Sequence, residues 1–121
     1  MTPRFVVVED EAIPALEITM QLERWGYEVV ARETNGADAV HAARLHRPDL
    51  VVMDVVMPGP LDGIAAAELI QFELGIPIVF LTAVAEKVPP AGTGAAPRLV
   101  VTKPYSPDDL DAAIRNLLRH P

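Results

Sequence analysis

The chain has 121 residues, half of them hydrophobic, so it can bury one hydrophobic core and we expect a single domain spanning residues 1–121. It has no cysteine, which excludes disulfides and thiolate metal sites, and no apolar stretch long enough to cross a bilayer, so we expect a cytoplasmic protein without membrane contact. The net charge of -7 leaves no basic surface for nucleic acid and favours a divalent cation or a partner of complementary charge.

The first half of the chain alternates short β-branched runs with stretches of helical periodicity. Residues 5–8 predict a buried strand that ends in Glu9-Asp10-Glu11, and residues 12–25 predict a helix. Residues 28–32 are more polar, which predicts a strand near an edge of the sheet. A turn at Asn35-Gly36 and a helix that runs to about residue 46 follow. The apolar positions with helical spacing are Ile13, Leu16, Ile18, Met20, Leu22 and Trp25 in the first helix and Ala39, Val40 and Ala43 in the second.

The stretch around which the chain is organised is Val-Val-Met-Asp-Val-Val-Met-Pro, residues 51–58. An apolar, β-branched run of this length predicts a strand covered on both faces, and it places Asp54 at the C-terminal end of that strand. Ligands bind at this edge of open α/β sheets. Asp54 is therefore a candidate functional carboxylate, with a simple cap of the following turn as the alternative.

Four more elements complete the chain. They are a helix capped by Asp62 and ended by Gly75, a strand over residues 77–82, a strand over residues 98–102, and a helix capped by Ser106 with Pro107 in its first turn. The apolar positions with helical spacing are Ile64, Ala67 and Ile70 in the first of these helices and Leu110, Ala113, Ile114 and Leu117 in the last. Both patterns predict helices that pack one face on the sheet.

The segment from residue 84 to residue 97 breaks the alternation. It contains Pro89, Pro90, Gly92, Gly94 and Pro97, all of which are poor helix interiors, so we expect a short or irregular fourth helix. Elsewhere the alternation of short strands with helices predicts right-handed crossovers and a parallel sheet with helices on both faces.

Polar residues mark the C-terminal ends of four predicted strands. They are Glu9-Asp10, Asp54, Thr82 and Lys103, and in a parallel sheet these ends share one edge. Three carboxylates held close together repel each other, and a hard cation removes that conflict. Magnesium is the best candidate because it takes oxygen ligands and leaves positions open for a phosphate. Calcium would need more oxygens and zinc would need nearby nitrogen or sulfur ligands, whereas the histidines fall at predicted surface positions: His41, His46 and His120.

These residues resemble a known family, the receiver domain of two-component response regulators. The matching motifs are Glu9-Asp10, Asp54 in Asp-x-x-Met-Pro, Asp62-Gly63, Thr82-Ala83 and Lys103-Pro104-Tyr105, and they span the chain in the family's order. The resemblance implies a doubly wound (βα)5 fold, with a parallel five-stranded sheet of order 2-1-3-4-5 and a topology similar to flavodoxin.

The resemblance also implies a function, namely that Asp54 accepts a phosphoryl group from a sensor histidine kinase or histidine phosphotransfer protein. Attack by the carboxylate on phosphohistidine would form an acyl phosphate, a reaction in which the protein mainly positions groups and neutralises charge. The domain would catalyse only its own phosphorylation and dephosphorylation and would signal to a downstream protein by conformational change. The implied ligands are Glu9, Asp10, Asp54 and the backbone carbonyl of Val56 for magnesium, with Lys103 and Thr82 on the phosphoryl group.

Simpler interpretations exist for several of these residues. Lys103 is also suited to a salt bridge with Asp54 or Asp10, and Thr82 to a β-branched strand end. Glu11 and Asp62 are better explained as a helix-start acid and a helix cap than as metal ligands.

The sequence departs from the family pattern at several positions. Val100 stands where the family usually has the aromatic ring that changes rotamer with the threonine, and Tyr105 is interpreted as a packing residue. The loop from Asp54 to Asp62 is one residue longer than the commonest form. The irregular segment 84–97, after a Phe-x-Thr motif, is similar to the corresponding segment of receivers with a shortened fourth helix. This departure concerns the surface that signals to a downstream protein, not the phosphorylation site.

Three other functions are weighed against the receiver. A magnesium-dependent phosphatase needs a second acid two residues after the nucleophile, where this chain has Val56. A flavin-binding module would place its phosphate against Glu9-Asp10-Glu11, which is unfavourable. A pseudo-receiver that binds partners without phosphorylation remains the main alternative, although the set of acids, threonine and lysine is complete. Because the chain ends after the last helix, we expect no output domain within it.

Overall fold

The computed structural model describes residues 2–92 and 96–119. In chain order the elements are β1 (Arg4–Val8), α1 (Ala12–Arg24), β2 (Glu28–Glu33), α2 (Gly36–His46), β3 (Leu50–Met53), α3 (Gly63–Leu74), β4 (Ile78–Thr82), a 3-10 helix (Ala85–Lys87), β5 (Arg98–Thr102) and α4 (Pro107–Leu118). All strand pairs are parallel and the order is β2-β1-β3-β4-β5. The predicted doubly wound sheet of flavodoxin-like topology is therefore confirmed.

Two apolar layers cover the sheet, and alternate residues of the central strands point into each. Val6, Val51 and Phe80 pack under α2 and α3, whereas Phe5 and Val52 pack under α1 and α4. Every residue of β3 and β4 is buried, as expected for strands in the middle of a parallel sheet. The charged strand β2 lies at one edge, as its polar sequence predicts. The core thus holds the C-terminal ends of β1, β3 and β4 side by side.

Helix α1 presents only part of its apolar surface to the core. Ile18 and Leu22 are buried against the sheet, but Ile13, Leu16 and Met20 are 71%, 48% and 44% exposed. Both sets have helical spacing, so periodicity alone does not determine which one faces the sheet. The outward set gives α1 an exposed apolar face.

Capping side chains define the starts of the other helices. Asn35 accepts a hydrogen bond from the backbone N–H of Asp38 at the start of α2, and Asp62 accepts one from Ala65 at the start of α3. Ser106 forms a capping box with Asp109 at the start of α4. The caps predicted at residues 62 and 106 are confirmed, and α3 ends at Gly75 as predicted, in the left-handed conformation that glycine favours.

Over its described residues, 83–92 and 96–97, the fourth connection contains a single 3-10 turn, which confirms the short, irregular fourth helix. Polar contacts from α3 and β5 hold the end of this segment. The buried Gln71 amide donates to the carbonyl oxygens of Ala96 at 2.7 Å and Pro97 at 3.0 Å, and its own oxygen accepts from Arg98 at 2.6 Å. Arg98 also donates to the carbonyl oxygen of Pro89 at 3.2 Å. A buried amide and a guanidinium therefore take the place of an apolar helix.

Two predicted surface histidines lie on α2, where His41 is exposed and His46 is half-buried. The prediction for His120 falls outside the described residues, as does Gly94 of the irregular segment. Among the helices that the structure describes, none combines the length and apolarity needed to cross a bilayer.

Candidate functional site

Three carboxylates meet where β1 and β3 end. These two strands pair in parallel with Val8 opposite Met53, so the residues that follow are neighbours. The backbone N–H of Asp54 donates to the carbonyl oxygen of Val8 at 3.0 Å, which continues the ladder. One carboxylate oxygen from each of Glu9, Asp10 and Asp54 lies within 4.8 Å of the other two. The topology thus brings Asp54 next to two acids, Glu9 and Asp10, that lie 45 and 44 residues before it in the sequence.

Lys103 supplies the positive charge in this cluster. It follows β5, and its Nζ atom lies 3.0 Å from Oε1 of Glu9 and 3.7 Å from Oδ2 of Asp54. Burial lowers the pKa of Lys103, but the hydrogen bond to Glu9 and the charge of Asp54 outweigh it, so the pKa is raised. The salt bridge considered from the sequence therefore forms with Asp54, but its shorter contact is with Glu9 and not with Asp10.

Glu9 is the buried member of the cluster. It is only 2% exposed, and besides Lys103 it accepts the backbone N–H of Glu11 at 3.2 Å. A hydrogen bond with Glu9, together with partial desolvation, raises the pKa of Asp10. One lysine faces three carboxylates, so negative charge is in excess. Oxygen donors with excess negative charge fit a hard divalent cation such as magnesium.

The loop after β3 holds the carboxylate of Asp54. Its Oδ1 accepts the backbone N–H of Val55 at 2.7 Å and, more weakly, that of Val56 at 3.4 Å, whereas Oδ2 faces Lys103. The loop closes where the N–H of Gly63 donates to the carbonyl oxygen of Val55 at 3.1 Å. The side chain of Val56 is 64% exposed at the rim. Asp54 is thus fixed in orientation by the backbone that follows it.

Thr82 ends β4, beside β3, and is fully buried. Its hydroxyl oxygen accepts the backbone N–H of Val84 at 3.1 Å, and its carbonyl oxygen accepts the N–H of Lys103 at 2.9 Å. Ala83 next to it is exposed. Thr82 therefore connects this edge of the sheet both to Lys103 and to the irregular segment, the latter through a local turn of the kind that threonine hydroxyls form.

A cavity of about 420 Å³ lies beside Lys103, between α1 and the start of α4. Tyr105 lines it and packs against the core under α1 and α4, in agreement with its interpretation as a packing residue. Burial, together with the charge of Glu17, raises the pKa of the Tyr105 hydroxyl. Val100 lies on β5 opposite Phe80 and is 36% exposed.

Comparison with known proteins places this arrangement in a family. The model of the response regulator receiver domain matches residues 5–115. The transcriptional regulatory protein PdtaR of Mycobacterium tuberculosis is 40% identical over 112 residues, which are 92% of this chain and 54% of PdtaR. The chain thus spans about half the length of the curated relatives it matches.

Solved structures agree. The signal receiver domain of a modulated diguanylate cyclase from Desulfovibrio desulfuricans G20 has a TM-score of 0.84 and 29% identity, covering 98% of this chain and 95% of that one. The receiver domain of sensor histidine kinase PA1611 from Pseudomonas aeruginosa, solved with magnesium coordinated in its active site cleft, has a TM-score of 0.82 and 28% identity, covering 98% and 99%. The chain belongs to the response regulator receiver domain family of two-component systems.

Proposed function

We propose that this receiver accepts a phosphoryl group on Asp54 from a histidine kinase or histidine phosphotransfer protein, in a magnesium-dependent reaction. The observation that carries the proposal is the meeting of Glu9, Asp10, Asp54 and Lys103 at one edge of the sheet, in a chain of the receiver family. The phosphorylated domain then signals to a downstream protein through a change in conformation.

The reaction is a transfer between two nucleophiles. A carboxylate oxygen of Asp54 attacks phosphorus as the bond from phosphorus to the donor's imidazole nitrogen breaks, which leaves an acyl phosphate and a free imidazole. Lys103, 3.7 Å from Oδ2 of Asp54, neutralises charge on the transferred oxygens. Glu9, Asp10, Asp54 and the backbone carbonyl of Val56 would hold magnesium. When bound, magnesium supplies further positive charge to the phosphoryl oxygens.

The direct test is the intact mass of the protein after incubation with magnesium and a small phosphodonor such as acetyl phosphate. With magnesium we expect the mass to increase by one phosphoryl group. When a chelator replaces magnesium, we expect no such increase. A protein that gains no phosphoryl group under either condition would leave the pseudo-receiver as the better account.

Magnesium binding is expected to stabilise the fold because the metal binds the folded state alone. A concentration about tenfold above Kd should add about 1.4 kcal/mol to the free energy of unfolding, which corresponds to a rise in Tm of about 5 °C. The measurement is a thermal melt at constant ionic strength. Asp10→Asn is the control, since Asp10 is exposed and its loss removes a ligand without opening a cavity. An equal rise in parent and Asp10→Asn would contradict the assigned ligands.

Lys103→Ala is expected to destabilise the metal-free protein and to increase its response to magnesium. The substitution leaves buried Glu9 without its 3.0 Å partner, a loss of roughly 1–3 kcal/mol for an unsatisfied buried group. Magnesium should restore most of this loss, so its effect on Tm should exceed that in the parent. The variant should still bind magnesium but should fail to couple phosphorylation to a structural change. A magnesium response smaller than the parent's would argue that Lys103 helps to build the metal site.

A further inference from the structure

Gly63, the first residue of α3, is buried directly against the backbone of the residue that carries the candidate acceptor. A methyl group at its Cα would overlap the carbonyl oxygen of Asp54 and would lie 2.9 Å from Cα of Val55. Both neighbours are backbone atoms, so neither can rotate away as a flexible side chain would. The close approach therefore requires a residue without a side chain.

The backbone that Gly63 contacts also orients the site. Oδ1 of Asp54 accepts the N–H groups of Val55 and Val56, and the N–H of Gly63 closes this loop on the carbonyl oxygen of Val55. A side chain at residue 63 would push this strand end and the amides that hold the carboxylate. The carbonyl of Val56, which the proposed function assigns to the metal, belongs to the residue that follows Val55 in this backbone.

We infer that Gly63 is a positioning residue for phosphoryl transfer, an inference that rests on the proposed function. It acts through Asp54 and the loop after it, and it touches neither metal nor phosphoryl group. Glycine is not needed here for its backbone conformation, because the positive-φ glycines of the described residues are Gly26, Gly59 and Gly75. Glycine is needed because there is no space for a side chain beside the backbone of Asp54.

If Gly63 had a purely structural role, its substitution would lower stability without a specific effect on magnesium binding or phosphoryl gain. The chain offers a matched control for this alternative. Gly36 is the first residue of α2, is also buried, and its added methyl group would overlap the carbonyl oxygen of Leu61 and lie 3.2 Å from Cβ of Ala66. Leu61 is in the same loop but lies seven residues after Asp54, at the end of the loop that leads into α3. Alanine at either position therefore disturbs the loop, but only alanine at 63 disturbs the end that carries the carboxylate.

The experiment compares Gly63→Ala, Gly36→Ala and the parent by thermal melt, by calorimetric titration with magnesium, and by the rate of phosphoryl gain from acetyl phosphate at saturating magnesium. We expect both variants to lose Tm. Gly63→Ala should weaken magnesium binding about tenfold or more and slow phosphoryl gain about 100-fold, the effect of a misplacement of about 1 Å. Gly36→Ala should keep both values within about twofold of the parent.

Equal losses of magnesium affinity and rate in the two variants, or parent values in Gly63→Ala, would overturn the inference. If Gly63→Ala does not fold in buffer, the comparison is made in trimethylamine N-oxide, which favours the folded state of both variants. Failure to fold there, while Gly36→Ala folds, would assign Gly63 a purely structural role. A parent that neither binds magnesium nor gains a phosphoryl group would instead refute the proposed function itself.

Discussion

We expect Asp54→Asn to abolish the gain of a phosphoryl group while leaving the protein folded. The amide keeps the shape of the side chain and can accept the N–H groups of Val55 and Val56 through its oxygen, but it is not a nucleophile. The substitution removes one of three mutually repelling carboxylates but also the 3.7 Å charge contact with Lys103, so the stability of the metal-free protein should stay close to that of the parent. Intact mass after incubation with magnesium and acetyl phosphate measures the first effect, and a thermal melt measures the second.

Asp62→Asn is the matched control, since it makes the same change at the other end of the same loop. Asp62 caps α3 by accepting the N–H of Ala65 at 2.8 Å, and asparagine caps helices about as well as aspartate. This variant should gain a phosphoryl group at the parent's rate. Labelling of Asp54→Asn equal to that of the parent would place the phosphoryl group on another residue.

The elements of the fold could be predicted from local sequence patterns, and the structure confirms them. Proline, glycine and capping residues mark the ends of elements, and β-branched runs mark strands buried on both faces. The meeting of Glu9, Asp10 and Asp54 also follows from the sequence, because parallel strands bring their C-terminal ends to one edge. These predictions share one property: each depends on local sequence patterns and on the parallel topology that those patterns imply.

Contacts that depend on how individual side chains pack carry no comparable signal. Ile13 and Ile18 are the same residue type, and each belongs to a set of apolar residues with helical spacing. Only the packing of α1 on the sheet determines that Ile18 is the buried one. Lys103 has several acids within reach, and side-chain geometry selects Glu9 as its closest partner. Gln71 looks like an ordinary polar helix residue until β5 brings Arg98 beside it. Such choices depend on the assembled structure rather than on local sequence.

The segment that follows Thr82 is the element through which we expect the signal to leave the site. Val100, opposite Phe80 on β5, has no ring to exchange between buried and exposed rotamers, so we expect no coupling between Thr82 and an aromatic side chain at this position. The hydroxyl oxygen of Thr82 instead accepts the N–H of Val84, the residue that precedes the 3-10 turn. Movement of this hydroxyl toward a phosphoryl oxygen on Asp54 would release Val84.

The two ends of the segment are held differently. At the start there is the one hydrogen bond to Thr82 and partial packing of Val84 and Val88 on the core. After residue 88, Arg98 donates to the carbonyl oxygen of Pro89, and at the end Gln71 donates to those of Ala96 and Pro97. We therefore expect residues 84–88 to respond to phosphorylation and the anchored end near β5 to stay in place, with partner binding controlled by order in the responding part.

Hydrogen exchange with and without phosphorylation measures this response. A hydrogen bond from Thr82 to a charged phosphoryl oxygen contributes about 1.5–3 kcal/mol, enough to shift a weakly held segment. The amides of residues 84–88 should therefore exchange faster than those of β4 before phosphorylation and should change by about tenfold or more after it. Thr82→Val is the control: it lacks the hydroxyl, so its segment should exchange quickly in both states. Residues 84–88 that are already as protected as the strands, and that phosphorylation leaves unchanged, would show that the signal leaves by another route.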